Sequence, residues 1–323
     1  MTIWAHLIHI SYNMWSDTPE PRRVSAYRDA MQFDDRVWYE VTQRMADGGL
    51  TMAVLDLGDA IRYRSHPEIA LGDAWTVERL TEELDRLRGL GLEPIPKLNF
   101  STSHDAWLGD YHRQVSTPAY YQVCADLIQE ISELFGRPRF FHIGMDEETA
   151  ANQPRSRFVV VRQHELWWED LAFLEEKVTA TGARPWVWSD YAWRHPQEFY
   201  WRMSRSTLQS NWHYDLVFTD DNEDDRPRIQ PAQEVRGWRY LTYLDLDDQG
   251  FDQIPAASNY RQAKSFEKTV EFCRRRLDPA RLLGFLQTTW LPTVGEFRAH
   301  HLAAVDQVAQ VIAQDAPESE GGA

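Results

Sequence analysis

The sequence predicts a single α/β domain, a (β/α)₈ barrel. The chain has 323 residues and is 43% hydrophobic, which suits one large α/β domain with a substantial core. Short apolar runs alternate with longer amphipathic runs along the whole chain. Strict alternation predicts parallel strands joined by helical crossovers, and eight such units close into a barrel. No glycine-rich turn follows Ile10, where a doubly wound sheet would favour one.

The predicted elements follow from hydrophobic periodicity and from helix start and stop signals. Thr76 caps one helix, and Gly91, Gly136 and Gly182 follow the ends of helical patterns. Strands are predicted over 3–10, 51–57, 92–98, 140–145, 184–188, 207–211, 240–244 and 282–287. Helices are predicted over 34–46, 76–90, 118–135, 163–181, 196–203, 232–237, 260–277 and 294–313, with an acidic loop at 220–227. The barrel is predicted to span 1–314, and the small polar tail 315–323 to be disordered.

Composition narrows the class of partner. The net charge of −16 argues against nucleic acid, because phosphate binding needs a basic face. No stretch approaches the ~18 apolar residues of a membrane span, and no signal peptide is recognisable, so we expect no membrane association and a cytoplasmic protein. The two cysteines form no Cys-x-x-Cys pair, and we expect neither a metal nor a cofactor. The 14 Trp would suit a carbohydrate ligand, although composition alone slightly favours a large aromatic-rich core. Exposed Trp could allow a homodimer.

Carboxylates crowd the end of the fourth predicted strand, and active sites of such barrels lie at strand C-termini. The segment contains His142, Gly144, Asp146 and Glu147 in the order His-x-Gly-x-Asp-Glu. Crowded carboxylates raise one pKa, so that one group can stay protonated and act as an acid. A solvated acidic loop, or Asp146 as a helix cap, is the alternative interpretation.

This pattern resembles the signature of glycoside hydrolase family 20, the β-N-acetylhexosaminidases. The resemblance implies that Glu147 protonates the glycosidic oxygen and that Asp146 orients the substrate's 2-acetamido group, with His142 in the substrate pocket. The acetamido oxygen then attacks the anomeric carbon, which is substrate-assisted catalysis with retention. A terminal β-linked N-acetylglucosamine or N-acetylgalactosamine is the implied substrate.

Other strand ends extend the resemblance. Tyr243-Leu244-Asp245 is similar to the family's Tyr-Leu-Asp on strand seven. It implies that the Tyr243 hydroxyl donates to the acetamido oxygen and that Asp245 binds a sugar hydroxyl. Tryptophans at three further strand ends imply walls of the sugar pocket: Trp188, Trp212 and Trp290.

The resemblance also implies a relay in which Asp56 orients His104 and His104 tunes the pKa of Glu147. Several positions depart from the family pattern. Lys97 and Asn99 stand where carboxylates are usual, and Met145 stands where a second Gly is usual. His6, His9 and Asn13 occupy the region of the family's strand-one Arg, and Pro292 the place of a Glu. These changes imply conserved leaving-group chemistry with altered recognition of the far side of the sugar.

Three other functions remain open from the residues alone. A metal-dependent hydrolase would favour His-x-His on strand one, but His6 and His9 are three apart and face opposite sides of a strand. A retaining glycosidase could use Asp190 or Asp245 as its nucleophile. A non-catalytic sugar-binding barrel would keep the tryptophan walls without needing both Asp146 and Glu147.

Overall fold

A computed structural model describes residues 2–218, 239–260 and 262–315. Its strands are β1 (Ile3–His9), β2 (Met52–Asp56), β3 (Glu93–Lys97), β4 (Phe140–Gly144), β5 (Arg184–Trp188), β6 (Leu208–Ser210), β7 (Ala256–Ser258) and β8 (Gly284–Thr288). Its α-helices are α1 (Asp35–Asp47), α2 (Val77–Gly89), α3 (Pro118–Leu134), α4 (Glu165–Ala180), α5 (Pro196–Arg202), α6 (Leu241–Asp248), α7 (Ser265–Arg276) and α8 (Arg298–Asp315).

The strands form one parallel sheet in the order β6-β5-β4-β3-β2-β1-β8-β7. Isolated parallel bridges join the two ends of this order, between Gln209 and Gln253 and between Trp212 and Ala256. The Ala256 N–H donates to the Asn211 carbonyl at 2.9 Å across the same seam. The protein is therefore a (β/α)₈ barrel, and the predicted fold class is confirmed.

Local chemistry sets several helix boundaries. The side chains of Asp34, Thr76 and Thr117 accept hydrogen bonds from the first-turn N–H groups of α1, α2 and α3. Each cap satisfies a backbone donor that lacks an intrahelical partner. Pro118 begins α3, where its missing N–H costs no helical hydrogen bond.

The period of two along each strand divides the core into an inner and an outer layer. The middle of the barrel is filled by apolar side chains such as Leu7, Val54 and Leu286. His9 and Asp56 lie two residues further along β1 and β2, at the C-terminal end of the barrel. The same alternation therefore points their side chains inward. The barrel is therefore apolar at mid-height and polar at the end where a site is expected.

One predicted strand is wrong. Residues 240–244 do not form strand seven, because Leu241–Asp248 is helix α6. Its buried residues Thr242, Tyr243 and Leu246 show the spacing of a helix face, which a five-residue window could not distinguish from a strand. The true β7 is the short segment Ala256–Ser258, whose small residues give little strand signal.

Other boundaries shift less. The helix predicted from 260 begins at Ser265, and α8 continues to Asp315, the first residue of the predicted tail. The rest of that tail, the predicted helix 232–237 and the acidic loop 220–227 lie outside the described residues. Among the helices of the described ranges, none combines the length and apolarity needed to cross a bilayer.

Candidate active site

The turn after β4 has an unusual backbone. Gly144, Met145 and Glu147 all have positive φ angles, of 77°, 72° and 55°. A Cβ on Gly144 would lie 1.9 Å from the Asn99 amide oxygen, so glycine is required for the close approach of the chain after β3. Non-glycine residues pay a steric cost in this conformation, which persists only where surrounding contacts enforce it. The turn brings Asp146 and Glu147 to the barrel mouth.

Asp146 is buried and held on both carboxylate oxygens. Asn99 Nδ2 donates to one oxygen at 2.9 Å, and His104 Nε2 lies 3.3 Å from the other. Burial alone would raise the pKa of Asp146, but His104, Lys97 and Asn99 together hold it below its usual value. Asp146 is therefore an oriented carboxylate at neutral pH.

Glu147 differs from Asp146 in exposure, since its side chain is 33% exposed. His104 Nε2 lies 3.4 Å from Glu147 Oε2, so one imidazole contacts both carboxylates. Burial would lower the pKa of His104, but Asp146 and Glu147 raise it to about 10.

Asp190 contacts the backbone of Glu147, because the Glu147 N–H donates to Asp190 Oδ2 at 2.8 Å. Burial, followed by repulsion from Asp146, raises the pKa of Asp190 well above its usual value.

The predicted relay from Asp56 to His104 is wrong. Asp56 Oδ2 lies 3.1 Å from His9 Nδ1 and accepts from Lys97 Nζ at 2.6 Å, and all three side chains are buried. Burial would raise the pKa of Asp56, but Lys97 and His9 lower it to about 2. The ammonium group of Lys97 binds the Asp56 carboxylate, for which the sequence analysis had expected His104 as the partner. His104 Nδ1 has no hydrogen-bond partner among the described residues.

His142 supports the β4 turn from within the barrel. Its Nδ1 accepts the Gly144 N–H at 3.0 Å, and its ring lies 4.6 Å from that of Trp188. The side chain is fully buried and does not line the cavity above, so contact with a substrate, as predicted for His142, is not supported by its position.

A cavity of about 450 Å³ opens above the carboxylate pair. Asp146 and Glu147 lie on its wall together with the three predicted tryptophans, Trp188, Trp212 and Trp290. The Trp188 ring centroid lies 5.5 Å from that of Trp212 and 5.8 Å from that of Trp290. The tryptophans form a continuous aromatic wall, a surface that the apolar C–H faces of a sugar ring can pack against.

The cavity also contains residues that sequence reasoning missed. Tyr214 accepts a hydrogen bond from Trp290 Nε1 at 3.0 Å, and the Tyr12 hydroxyl donates to the Trp290 carbonyl at 2.6 Å. Trp15 packs against both His104 and Trp290, and Tyr260 follows β7 at the rim. Tyr260 lies two residues after β7 and Tyr214 lies four residues after β6. Tyr214 follows a strand that was predicted, whereas Tyr260 follows the strand that was missed. Ser25, Asn152, His213, Asp215 and Arg239 complete the lining.

Tyr243 and Asp245 do not reach this cavity, contrary to their predicted roles. Both lie on α6, and Tyr243 is fully buried with its hydroxyl 3.3 Å from the Ala256 carbonyl. Asp245 accepts a hydrogen bond from Tyr200 at 3.3 Å. Their placement on a helix outside the barrel mouth follows from the wrong assignment of strand seven.

A cluster of buried ion pairs holds the turn that follows β4. Arg162 contacts Glu148 and donates to Asp170 at 2.9 Å, and it also donates to the Phe100 carbonyl at 2.7 Å. These side chains are almost fully buried, so each charge is stabilised by its oppositely charged neighbours and not by water. The cluster ties the residue after Glu147 to the chain after β3 and to α4.

Within residues 2–218, 239–260 and 262–315, no group of three or more His, Cys, Asp or Glu side chains is arranged to hold a metal ion. His6 and His9 do face opposite sides of β1: His9 joins Asp56, whereas His6 lies near His301 of α8. Burial lowers the pKa of His6 to about 3.

Comparison with solved structures places this barrel beside one group of enzymes. An exo-β-N-acetylglucosaminidase of glycoside hydrolase family 20 from Vibrio harveyi superimposes with a TM-score of 0.61 at 14% identity, over 95% of this chain and 54% of that protein. A β-N-acetylhexosaminidase from Bacteroides fragilis gives 0.62 at 12%, over 95% and 65%. A family 20 β-N-acetylhexosaminidase from Streptomyces coelicolor gives 0.62 at 13%, over 95% and 64%. This chain has the fold of their barrels.

The chain spans between about half and two thirds of the length of these three proteins. Its sequence matches no protein-family model and no curated protein sequence. At 12–14% identity, the likeness shows the fold alone.

Proposed function

We propose that this protein is a divergent glycoside hydrolase of family 20 that removes a terminal β-linked N-acetylhexosamine by substrate-assisted catalysis. One observation supports this above the others. Asp146 and Glu147 share a single imidazole, His104 Nε2, at 3.3 and 3.4 Å, on the wall of a tryptophan-lined cavity. The shared fold with the family 20 barrels supports the same conclusion.

Asp146 and Glu147 suit different roles in the proposed reaction. Glu147 is partly exposed in the cavity and can reach a glycosidic oxygen, so it acts as the general acid and later as the general base. Glu147 gives its proton to the leaving oxygen in the first step and recovers a proton from the water that it activates in the second step, so the cycle needs no other proton source. Asp146 is ionised and oriented, so it accepts the acetamido N–H and stabilises the positive charge that develops as the acetamido oxygen attacks.

A donor to the acetamido oxygen is also required. We assign this role to Tyr214 in place of Tyr243, because Tyr214 lines the cavity beside Trp290 and Tyr243 does not. The aromatic wall of Trp188, Trp212 and Trp290 encloses the acetamido methyl and the sugar ring.

A protein nucleophile fits the geometry less well. Asp190 accepts the Glu147 backbone N–H and does not line the sugar cavity, and Asp245 lies on α6. Asp215 does line the cavity, but it is exposed at the rim. Asp146 is the sequence neighbour of Glu147, the candidate acid. Substrate-assisted catalysis permits this spacing because the nucleophile belongs to the substrate and not to the protein.

The test is hydrolysis of chromogenic β-glycosides, comparing N-acetylglucosaminide and N-acetylgalactosaminide with glucoside and galactoside. We expect cleavage of the acetamido sugars alone, with inhibition by a thiazoline analogue of the cyclised intermediate. Glu147→Gln should abolish turnover of natural glycosides, and Asp146→Asn should lower kcat by roughly 10²-fold or more. Cleavage of the plain glucoside would instead indicate a protein nucleophile, and silence across the panel would favour a binding protein.

A further inference from the structure

The side of the sugar cavity that faces the candidate acid is formed by the ends of β8 and β1. Glu147 follows β4, and in an eight-stranded barrel the ends of β8 and β1 lie across the mouth from β4. Tyr12 and Trp15 line the cavity from the connection after β1, and Trp290 lines it after β8. A sugar ring with its anomeric carbon at Glu147 therefore directs C3 and C4 towards this opposite side.

The described part of this opposite side carries no charged group. The charged side chains among the described lining residues all follow β4 or β6: Asp146, Glu147, Asp215 and Arg239. His9 and Asn13, in the region of the expected strand-one arginine, bind Asp56 and Asp59 and do not line the cavity. The C3 and C4 hydroxyls of a bound sugar therefore face aromatic rings there and no ionic partner among the described residues.

The same side of the cavity opens to solvent. At the β5–β6 side, Trp188 and Trp212 are only 1% and 5% exposed. Trp15 and Trp290 are partly exposed, and Tyr260, two residues after β7, lines the rim and is 50% exposed. The cavity volume of about 450 Å³ lies in the range that holds drug-sized ligands, which is more than a single sugar ring needs.

We propose that this rim is a second sugar-binding position, and that the protein also cleaves behind an N-acetylhexosamine whose 3- or 4-hydroxyl carries a further neutral sugar. The inference rests on the proposed function, since Glu147, Asp146 and the substrate's acetamido group perform the same chemistry. The anomeric C–O bond of the N-acetylhexosamine breaks, and the departing oxygen takes the Glu147 proton. Water then adds its hydroxyl to the anomeric carbon and returns a proton to Glu147, so the product is a disaccharide.

The chemistry of the rim selects a neutral sugar. The ring of Tyr260 offers a flat apolar face to the C–H groups of a sugar, and its hydroxyl can donate to or accept from a sugar hydroxyl. Ser25 adds a second hydroxyl group to the cavity wall. The described lining residues between β7 and β1 provide no cation that would bind a sulfate or a carboxylate, so an anionic substituent is not favoured.

The test uses p-nitrophenyl N-acetyl-β-glucosaminides in which a β-galactose caps the 3-hydroxyl or the 4-hydroxyl. Galactose has no acetamido group, so substrate-assisted catalysis cannot remove it first. Nitrophenol therefore appears only when the bond behind the substituted unit breaks. We expect the wild type to hydrolyse at least one of the two glycosides and to release the intact disaccharide, identified by mass spectrometry.

Tyr260→Ala and Tyr39→Ala are matched variants, because the two tyrosines are 50% and 45% exposed and Tyr39 lies on α1, outside the cavity lining. The measured quantity is the ratio of kcat/KM for the galactosylated glycoside to kcat/KM for the plain N-acetylglucosaminide. We expect Tyr260→Ala to lower this ratio about fivefold or more through the loss of one stacking contact, and Tyr39→Ala to leave it unchanged. Equal ratios in the two variants overturn the placement of the further sugar on Tyr260.

The substrate panel separates the two proposals. Wild-type hydrolysis of the plain N-acetylglucosaminide, with neither galactosylated glycoside cleaved, overturns the second position and leaves the glycosidase function standing. Hydrolysis of a galactosylated glycoside alone supports the second position and narrows the proposed function to substituted units. Failure on all three glycosides overturns the glycosidase function, and the second position with it.

Discussion

His104 makes the stability of this protein depend on pH. Its pKa rises from 6.5 to about 10 on folding, because Asp146 and Glu147 outweigh the effect of burial. The folded state therefore holds a proton that the unfolded chain releases above pH 6.5. The resulting stabilisation is complete below pH 6.5 and is lost as the pH rises to about 10. Each pKa unit corresponds to about 1.4 kcal/mol, so the rise amounts to up to ~5 kcal/mol.

The perturbation that isolates this effect is His104→Gln, which removes the charge and keeps a polar side chain. Urea unfolding of the wild type and the variant should be measured in pairs from pH 6 to pH 10.5, so that the titration of groups that do not interact with His104 cancels in the difference. We expect the variant to be less stable by several kcal/mol at pH 6 and nearly equal to the wild type at pH 10.5. A stability difference that stays constant over this range would refute the assignment of the proton to His104.

Three further predictions test the turn and the tyrosines. Gly144→Ala should lower the unfolding free energy by more than about 2 kcal/mol, measured by urea unfolding, because its Cβ would collide with Asn99; an unchanged stability would contradict the required close approach. Tyr214→Phe should lower kcat on an N-acetylglucosaminide by roughly 10²-fold, whereas Tyr243→Phe should change it less than twofold; the reverse order would restore the original assignment. Arg162→Met should cost about 3–5 kcal/mol in thermal or urea unfolding by leaving two buried carboxylates unpaired, and a neutral effect would mean that the cluster is hydrated.

The parts of the site that could be predicted from sequence are those that follow a strand directly. Trp188 ends β5, Trp212 lies two residues after β6 and Trp290 two residues after β8, so the barrel geometry alone brings them to one face. Asp146 and Glu147 follow β4 in the same way. For these residues, knowing the strand was sufficient to know the position.

The parts that could not be predicted depend on contacts between distant segments. Tyr12 and Trp15 belong to the long connection after β1, whose path is set by hydrogen bonds such as Asn13 Nδ2 to Asp59 Oδ2 at 2.9 Å. The partner of Asp56 was likewise undetermined, because a lysine and two histidines could each have reached it. Strand seven was missed because three small residues carry little hydrophobic pattern.

The buried pair beneath the cavity, Lys97 with Asp56, constrains how this barrel can change over evolutionary time. Replacing Asp56 alone removes the carboxylate that the buried Lys97 contacts, and replacing Lys97 alone leaves Asp56 with His9 as its remaining partner. Breaking a buried ion pair in this way costs up to about 3–5 kcal/mol, which is a large part of a typical domain's total stability. Replacing both together by well-packed apolar residues can be nearly neutral. Substitutions at 56 and 97 are therefore epistatic, and we expect a double-mutant cycle to show that the two replacements together cost less stability than the sum of the single replacements.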